Sequence, residues 1–321
     1  MRNRIKVFAG TAGRPLADKV CERLSIDLGK ARVARFADGE VDVQIEEDVR
    51  GADVFIVNTT GPPAENLIEM VLLAEAAHGS SAGRVTVIPT YLGYNRQDRK
   101  DRPRRPISAR TIIRFIAESG ADRVLLVDLH SEPTMALFGN RMQVDHLYAS
   151  AVSVEYLRKI LTNPFVVASP DKGGGPRAEA YARLLGQDDF VLFSKSRATP
   201  GVVEEKTIKI IGDVRGKNIL FVDDMIDTAG TLVADTIAAK KAGAKKIYAF
   251  ATHGLFSRDA FERLDTSGIT EVITTDSVGN RKNLFKPKRM KLTELSIVSL
   301  LAQAIRRLHD GESLSLLIPK P

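Results

Sequence analysis

Short apolar runs alternate with amphipathic stretches along the chain. Runs at residues 5–9, 54–58, 85–89, 124–127, 165–168, 190–193, 219–222, 247–251 and 272–274 predict buried strands of parallel sheets. Between them the pattern turns helical. Over residues 63–78, Leu67, Met70, Val71 and Ala74 share a face. From about residue 231 to 242, Val233, Ala234, Ile237 and Ala238 share another, and Gly243 is a stop signal. Phe36-Ala37-Asp38-Gly39-Glu40, followed by alternating Val41, Val43 and Ile45, predicts a hairpin turn. Regular strand–helix alternation predicts an α/β fold of mainly parallel sheets flanked by helices.

The pattern also repeats. Asp48-Val49-Arg50-Gly51 precedes one apolar run, and Asp213-Val214-Arg215-Gly216 precedes another. Ser119-Gly120, Val124 and Asp128 return at the same spacing as Ser267-Gly268, Val272 and Asp276. Two copies of one α/β domain are therefore expected, residues 1–147 and 148–321. With 321 residues, the chain exceeds what one core usually supports.

Composition narrows the class. Hydrophobic content of 44% and charged content of 27% are those of a soluble globular protein. The single cysteine, Cys21, allows no internal disulfide and fits a reducing, cytoplasmic setting. Met1-Arg2-Asn3-Arg4 runs into the first strand without a signal-like segment, and no apolar run has membrane-spanning length. A net charge of +7 suits nucleic acid or an anionic small substrate. Aromatic content of 6%, with no Trp and no aromatics among the basic clusters, disfavours a nucleic-acid platform.

The richest stretch is Ile219-Leu220-Phe221-Val222-Asp223-Asp224-Met225-Ile226-Asp227-Thr228-Ala229-Gly230-Thr231. It predicts a buried strand, two carboxylates at its carboxyl end, a tight loop over residues 227–230 and a helix. Ligands of open α/β sheets bind at such strand ends. Loop amides and a helix N-terminus suit a phosphate, and Thr228 and Thr231 add hydroxyl donors. Asp223 and Asp224 would repel that phosphate, so they suit a ribose diol or a hard cation. A Walker A ending is absent.

Other segments carry weaker signals. Asn95-Arg96-Gln97-Asp98-Arg99-Lys100-Asp101-Arg102-Pro103-Arg104-Arg105 is a basic insertion in the first copy. Its arginines suit polyphosphate, although charge alone favours a solvated loop. His130 and Asp171 end apolar strands and suit a shared divalent cation, although a lone His is more often structural. Lys195-Ser196-Arg197 stands at the root of residues 198–206, a segment with few apolar anchors that is expected to move and close over a phosphoryl group. Where the second copy has Asp223-Asp224, the first has Thr59-Thr60 or nearby Asn58. Its Gly61-Pro62-Pro63 cannot form the same cradle, because proline lacks an N–H.

Residues 219–231 resemble the phosphoribosyl-pyrophosphate loop of the type I phosphoribosyltransferase family. The ordered set of Phe36 to Glu40, Tyr94 to Lys100, Asp128 to His130, Ser169 to Asp171, Lys195 with Arg197, and Asp223 to Thr231 resembles the ribose-phosphate pyrophosphokinase family over nearly the whole chain. That resemblance implies two similar phosphoribosyltransferase-like domains. It also implies transfer of the diphosphoryl group of Mg-ATP to the anomeric hydroxyl of ribose 5-phosphate, releasing AMP. It implies that Phe36, Asp38 and Glu40 hold adenine supplied by a neighbouring subunit, and that Arg96, Gln97 and Asp98 bind ATP. It gives Mg2+ to His130 and Asp171 and the transition state to Lys195 and Arg197. Asp223 and Asp224 take the ribose hydroxyls, and Asp227, Thr228, Ala229, Gly230 and Thr231 the 5-phosphate. It suggests a hexamer built from dimers, with no nucleic-acid or membrane partner.

Three positions depart from the commonest bacterial pattern: the Gln-free segment 131–138, Lys172 in place of His, and Asp48 in place of Ser. The first and third touch positions tied to phosphate activation and ADP inhibition, so weak phosphate activation is expected. A phosphoribosyltransferase that consumes the diphosphate shares residues 223–231 but explains neither the duplication nor Arg96 to Asp98. A non-catalytic regulatory homologue usually has a disrupted loop or lacks the catalytic cations; here both are present.

Overall fold

The computed structural model describes residues 4–140, 142–195, 208–279 and 285–319. The chain divides into two compact units. One contains Met1–Ala149, Ser277–Gly279 and Ile297–Ile318; the other contains Ser150–Asp276, Asn280–Ser296 and Pro319–Pro321.

Strands and helices are numbered in chain order. In the first unit, β1 (Ile5–Ala9), β4 (Asp53–Asn58), β5 (Arg84–Pro89), β6 (Arg123–Val127) and β7 (Gln143–Leu147) form one parallel sheet in that spatial order. Its helices are α1 (Arg14–Leu24), α2 (Glu65–Gly79) and α3 (Ser108–Ala117). β2 (Ala31–Arg35) and β3 (Val41–Ile45) form a separate antiparallel hairpin. The predicted turn at residues 36–40 is its tip, closed by Phe36 N to Glu40 O at 2.9 Å. β4 is buried along its whole length, as a central strand covered on both faces must be. Phe8, Ile56, Met70, Val87, Ile113 and Leu126 lie in one core.

The second unit repeats this wiring. β8 (Phe165–Ser169), β11 (Asn218–Ile226), β12 (Ile247–Gly254), β13 (Glu271–Thr275) and β14 (Lys291–Leu295) are parallel neighbours in that order. In each unit a two-strand insert follows the first strand. Here the insert, β9 (Phe190–Lys195) and β10 (Ile208–Ile211), extends the sheet beyond β8. The remaining helices are α4 (Ser150–Ile160), α5 (Gly175–Leu184), α6 (Gly230–Lys241), α7 (Ala260–Ser267) and α8 (Val298–Asp310). Phe193, Phe221, Ala249 and Val272 belong to the second core.

The helix that follows the last strand is exchanged between the units. α4 follows β7 but belongs to the second unit; α8 follows β14 but belongs to the first. Each uses an arginine at the corresponding position. Arg158 of α4 donates to the carbonyl of Leu184, the last residue of α5, at 2.5 Å. Arg306 of α8 donates to the carbonyl of Leu24, the last residue of α1, at 3.2 Å. Terminal helix carbonyls lack i+4 partners, so a cation there satisfies them and complements the helix dipole. The C-terminal helix thus departs from the expectation that residues 148–321 form one block. Its apolar face, including Leu301, Ile305 and Leu308, is buried and α8 packs on α1. Asp53 fixes its end, accepting Arg84 Nε at 2.9 Å and pairing with His309 Nδ1 at 2.9 Å.

One helical expectation also changes. The face of α6 formed by Val233, Ala234, Ile237 and Ala238 is not the most covered one. Leu232, Asp235, Thr236 and Ala239 are buried, whereas Ile237 is 44% exposed. Among the described residues, no helix is long and apolar enough to cross a membrane.

Candidate active site

The carboxyl end of β11 holds the acidic pair. The apolar run was expected to end at Val222, with the carboxylates beyond the strand. Instead, the strand continues to Ile226, and Asp223 pairs in register with Ala251 of β12. Residues 223 and 224 therefore point to opposite faces. Asp224 is buried, while the Asp223 side chain retains about a third of its exposure. The Asp224 amide donates to Asp223 Oδ1 at 2.8 Å.

Arg177, in the first turn of α5, serves both acids. Its Nη1 lies 3.3 Å from Asp224 Oδ1 and 3.7 Å from Asp223 Oδ1. Burial, and then the Asp224 charge, push the Asp223 carboxyl well above the usual range, with Arg177 opposing. Relief by a hydroxyl donor or a cation is the chemistry such a group favours. Sequence reasoning missed Arg177. The available signal was a cation in the first turn of a helix, where the dipole disfavours it unless an acid is near.

The loop after β11 is short. Asp227 and Thr228 lead to Ala229, whose φ of +57° is left-handed without the usual glycine. α6 starts at Gly230, one residue earlier than predicted. Ser257 N donates to Asp227 O at 3.1 Å, and Leu255 N to Ile226 O at 2.9 Å, so the backbone of the loop base is held by the segment after β12. A first helical turn carries amides without i−4 partners, which suits an anion.

The other candidate residues are distributed. Phe36, Asp38 and Glu40 are exposed at the hairpin tip, where Asp38 Oδ1 accepts the Glu40 amide at 3.0 Å. Arg96 is exposed in the loop before α3, with Asp98 half-buried. Gln97 contacts the start of α3: Oε1 accepts Ser108 Oγ at 2.6 Å, and its carbonyl accepts the Ala109 amide at 3.2 Å. His130 is exposed past the end of β6 in the first unit; Asp171 is exposed past the end of β8 in the second. Asp171 Oδ1 accepts the Gly174 amide at 2.9 Å. Among the described residues, no group of three or more His, Cys, Asp or Glu side chains is placed to hold a metal ion. Lys195 closes β9, with only its backbone described; Arg197 and residues 198–206 lie outside the described residues.

Asp48 caps a turn, accepting Arg50 N at 3.0 Å, and Asp213 does the same for Arg215 at 3.0 Å. These are duplicated Asx turns, so the departure at Asp48 has a backbone role. Burial pushes the Cys21 thiol up to about 11, which disfavours its thiolate form.

The fold is that of α/β proteins with mainly parallel sheets, a class whose ligands bind at the carboxyl ends of the strands. Residues 5–120 match the N-terminal domain of ribose phosphate pyrophosphokinase, and residues 187–319 match the phosphoribosyl synthetase-associated domain. The chain is 42% identical to a ribose-phosphate pyrophosphokinase of Chlorobaculum tepidum, over 99% of this chain and 96% of that one. It is 45% identical to one of Shewanella oneidensis, over 97% and 98% respectively. The crystal structure of phosphoribosylpyrophosphate synthetase from Mycobacterium smegmatis superposes with a TM-score of 0.88 at 35% identity, covering 96% of this chain and all of that one. The chain belongs to the ribose-phosphate pyrophosphokinase family.

Proposed function

We propose that this chain transfers the diphosphoryl group of Mg-ATP to the C1 hydroxyl of ribose 5-phosphate, giving 5-phosphoribosyl 1-diphosphate and AMP for nucleotide synthesis. The observation that carries the reading is the end of β11, an acid pair of unequal exposure running into an anion-suited loop, in a chain of this family. The sugar oxygen attacks the β-phosphorus of ATP, and the bond from that phosphorus to the α–β bridging oxygen breaks. Such transfer needs alignment and charge neutralisation more than covalent chemistry.

Residues 227–231 would hold the 5-phosphate. Asp223, the accessible acid, would accept from the ribose diol. Asp224 would act through Arg177, keeping the pair's geometry. Phe36, Asp38 and Glu40, with Arg96 and Asp98, would bind ATP; Gln97 would set the start of α3 behind them. Lys195 and Arg197 would meet the charge that develops on the transferred group. For Mg2+, the exposed Asp171 carboxylate would be a suitable oxygen donor, and His130 would act through water of the ion, because an imidazole is a poor direct ligand for so hard a cation. Mg2+ bound there would neutralise the triphosphate. A homo-oligomer, with the hairpin tip completing a neighbour's nucleotide site, accounts for Phe36 being 55% exposed. The cytoplasm is the setting proposed for it.

Incubating the protein with Mg-ATP, with and without ribose 5-phosphate, tests the reading. AMP should form only when the sugar phosphate and Mg2+ are present. ADP as the nucleotide product would make the reaction ordinary phosphorylation and refute it.

A further inference from the structure

One buried carboxylate in the first unit is engaged from two segments that no role above uses. Glu69, on α2, has a fully buried side chain. Oε2 accepts the Thr11 amide at 2.7 Å; Oε1 accepts Thr11 Oγ1 at 3.0 Å and Arg35 Nη2 at 2.7 Å. Gly10 makes room for it. A Cβ there would stand 2.9 Å from Glu69 Oε2 and 2.2 Å from Asn58 Nδ2. Burying a carboxylate is unfavourable unless donors meet it; three do, one of them charged.

Arg35 is the last residue of β2, paired with Val41 across the hairpin. Beyond it lies only the tip. Val33, Val43 and Ile45 anchor the rest of the hairpin to the core through apolar contact, which has no direction of its own. Neighbouring strand residues face opposite sides. Drawing Arg35 toward Glu69 therefore turns Phe36 outward. Among the described residues, the Arg35–Glu69 pair is the hydrogen-bonded contact nearest the tip that ties the hairpin to the rest of its unit, and Thr11 fixes Glu69 in turn.

We propose that Glu69 is a positioning residue for the nucleotide. Through Arg35 it sets the aim of Phe36, Asp38 and Glu40, and with it the affinity for ATP. This rests on reading the hairpin tip as the adenine contact.

Steady-state kinetics of the full chain, with KM measured separately for ATP and ribose 5-phosphate, test it. Arg35→Met should raise the ATP KM about tenfold, with kcat and the sugar KM within about twofold of the parent. Arg35→Lys, which keeps the charge, should recover most of the loss. Glu69→Gln should act like Arg35→Met, and the double variant should be no worse than either, because both break one contact. Phe36→Ala is the control for the underlying reading and should raise the ATP KM further. An ATP KM unchanged in Arg35→Met but raised in Phe36→Ala overturns the positioning role alone. If Phe36→Ala leaves the ATP KM unchanged, the adenine reading falls, and the proposal with it. Equal rises in both KM values for Arg35→Met, or no recovery with Arg35→Lys, also overturn it.

Discussion

At the carboxyl end of β4 stand Asn58 and Thr59; at the corresponding end of β11 stand Asp223 and Asp224. Matching helices follow both strands. In the first unit the side-chain amide donors are turned onto the backbone. Asn58 Nδ2 donates to the carbonyl of Asn66 at 2.7 Å, and Asn66 Nδ2 to that of Gly61 at 2.9 Å. The opening amides of α2 turn back onto Pro63 and Ala64, at 3.1 and 3.0 Å. Glu69 fills the loop after β1 with its own carboxylate. In the second unit the residue at the place of Glu69 is Ala234, and Arg177 stands where α1 has Leu16. One copy is closed on itself. The other keeps an accessible acid beside an anion-suited loop. Duplication can conserve a scaffold while a few polar exchanges decide which copy has a site.

The comparison breaks most sharply at Lys195 and Arg197, the cations proposed for the transition state. Lys195→Ala and Arg197→Ala should each lower kcat by a factor of about 100 to 1000, since losing one donor to transition-state charge costs roughly 3–4 kcal/mol. ATP binding, followed by equilibrium titration, should stay close to that of the parent. Loss confined to ground-state affinity, with kcat intact, would make these residues binding groups.

Next comes the acid pair itself, whose two members should separate. Asp223→Asn should raise the ribose 5-phosphate KM by roughly tenfold or more while moving the ATP KM little, because an amide accepts less well from a diol. Asp224→Asn should act mainly on stability. It leaves Arg177 short of its buried partner, and breaking such a pair costs about 3 kcal/mol, read as a lower Tm. Identical kinetic and thermal effects in the two variants would mean that they share one role.

A carboxylate on α6 at the counterpart of Glu69 sharpens the contrast further. Ala234→Glu brings a carboxylate toward an expected phosphate position. At an effective dielectric of about 20, two unit charges ~4 Å apart repel by roughly 4 kcal/mol, and rotation of an exposed side chain reduces this. A several-fold rise in sugar KM is expected, with Ala234→Gln milder. If Gln and Glu act alike, bulk explains the change and charge does not.

Much of this was legible in the sequence. The central strands announce themselves because burial on both faces demands uninterrupted apolar runs such as Ile219-Leu220-Phe221-Val222. β7, β10 and β14 do not, since edge strands such as Gln143–Leu147 and Lys291–Leu295 carry polar residues among the apolar ones. The linear loop 223–231 was visible because its groups are contiguous. Arg177, Glu69 and Arg35 were not, because each acquires meaning only from a partner distant in sequence. The exchange of α4 and α8 was equally hidden: nothing in an amphipathic helix states which sheet it will cover.

Counting ribose 5-phosphate bound per chain by equilibrium dialysis tests most directly the claim that only the second unit keeps the sugar-phosphate site. One molecule per chain is predicted for the parent, with binding weakened by Asp223→Asn and unaffected by Asn58→Ala. Two molecules per chain, or binding that survives Asp223→Asn and falls with Asn58→Ala, would contradict it.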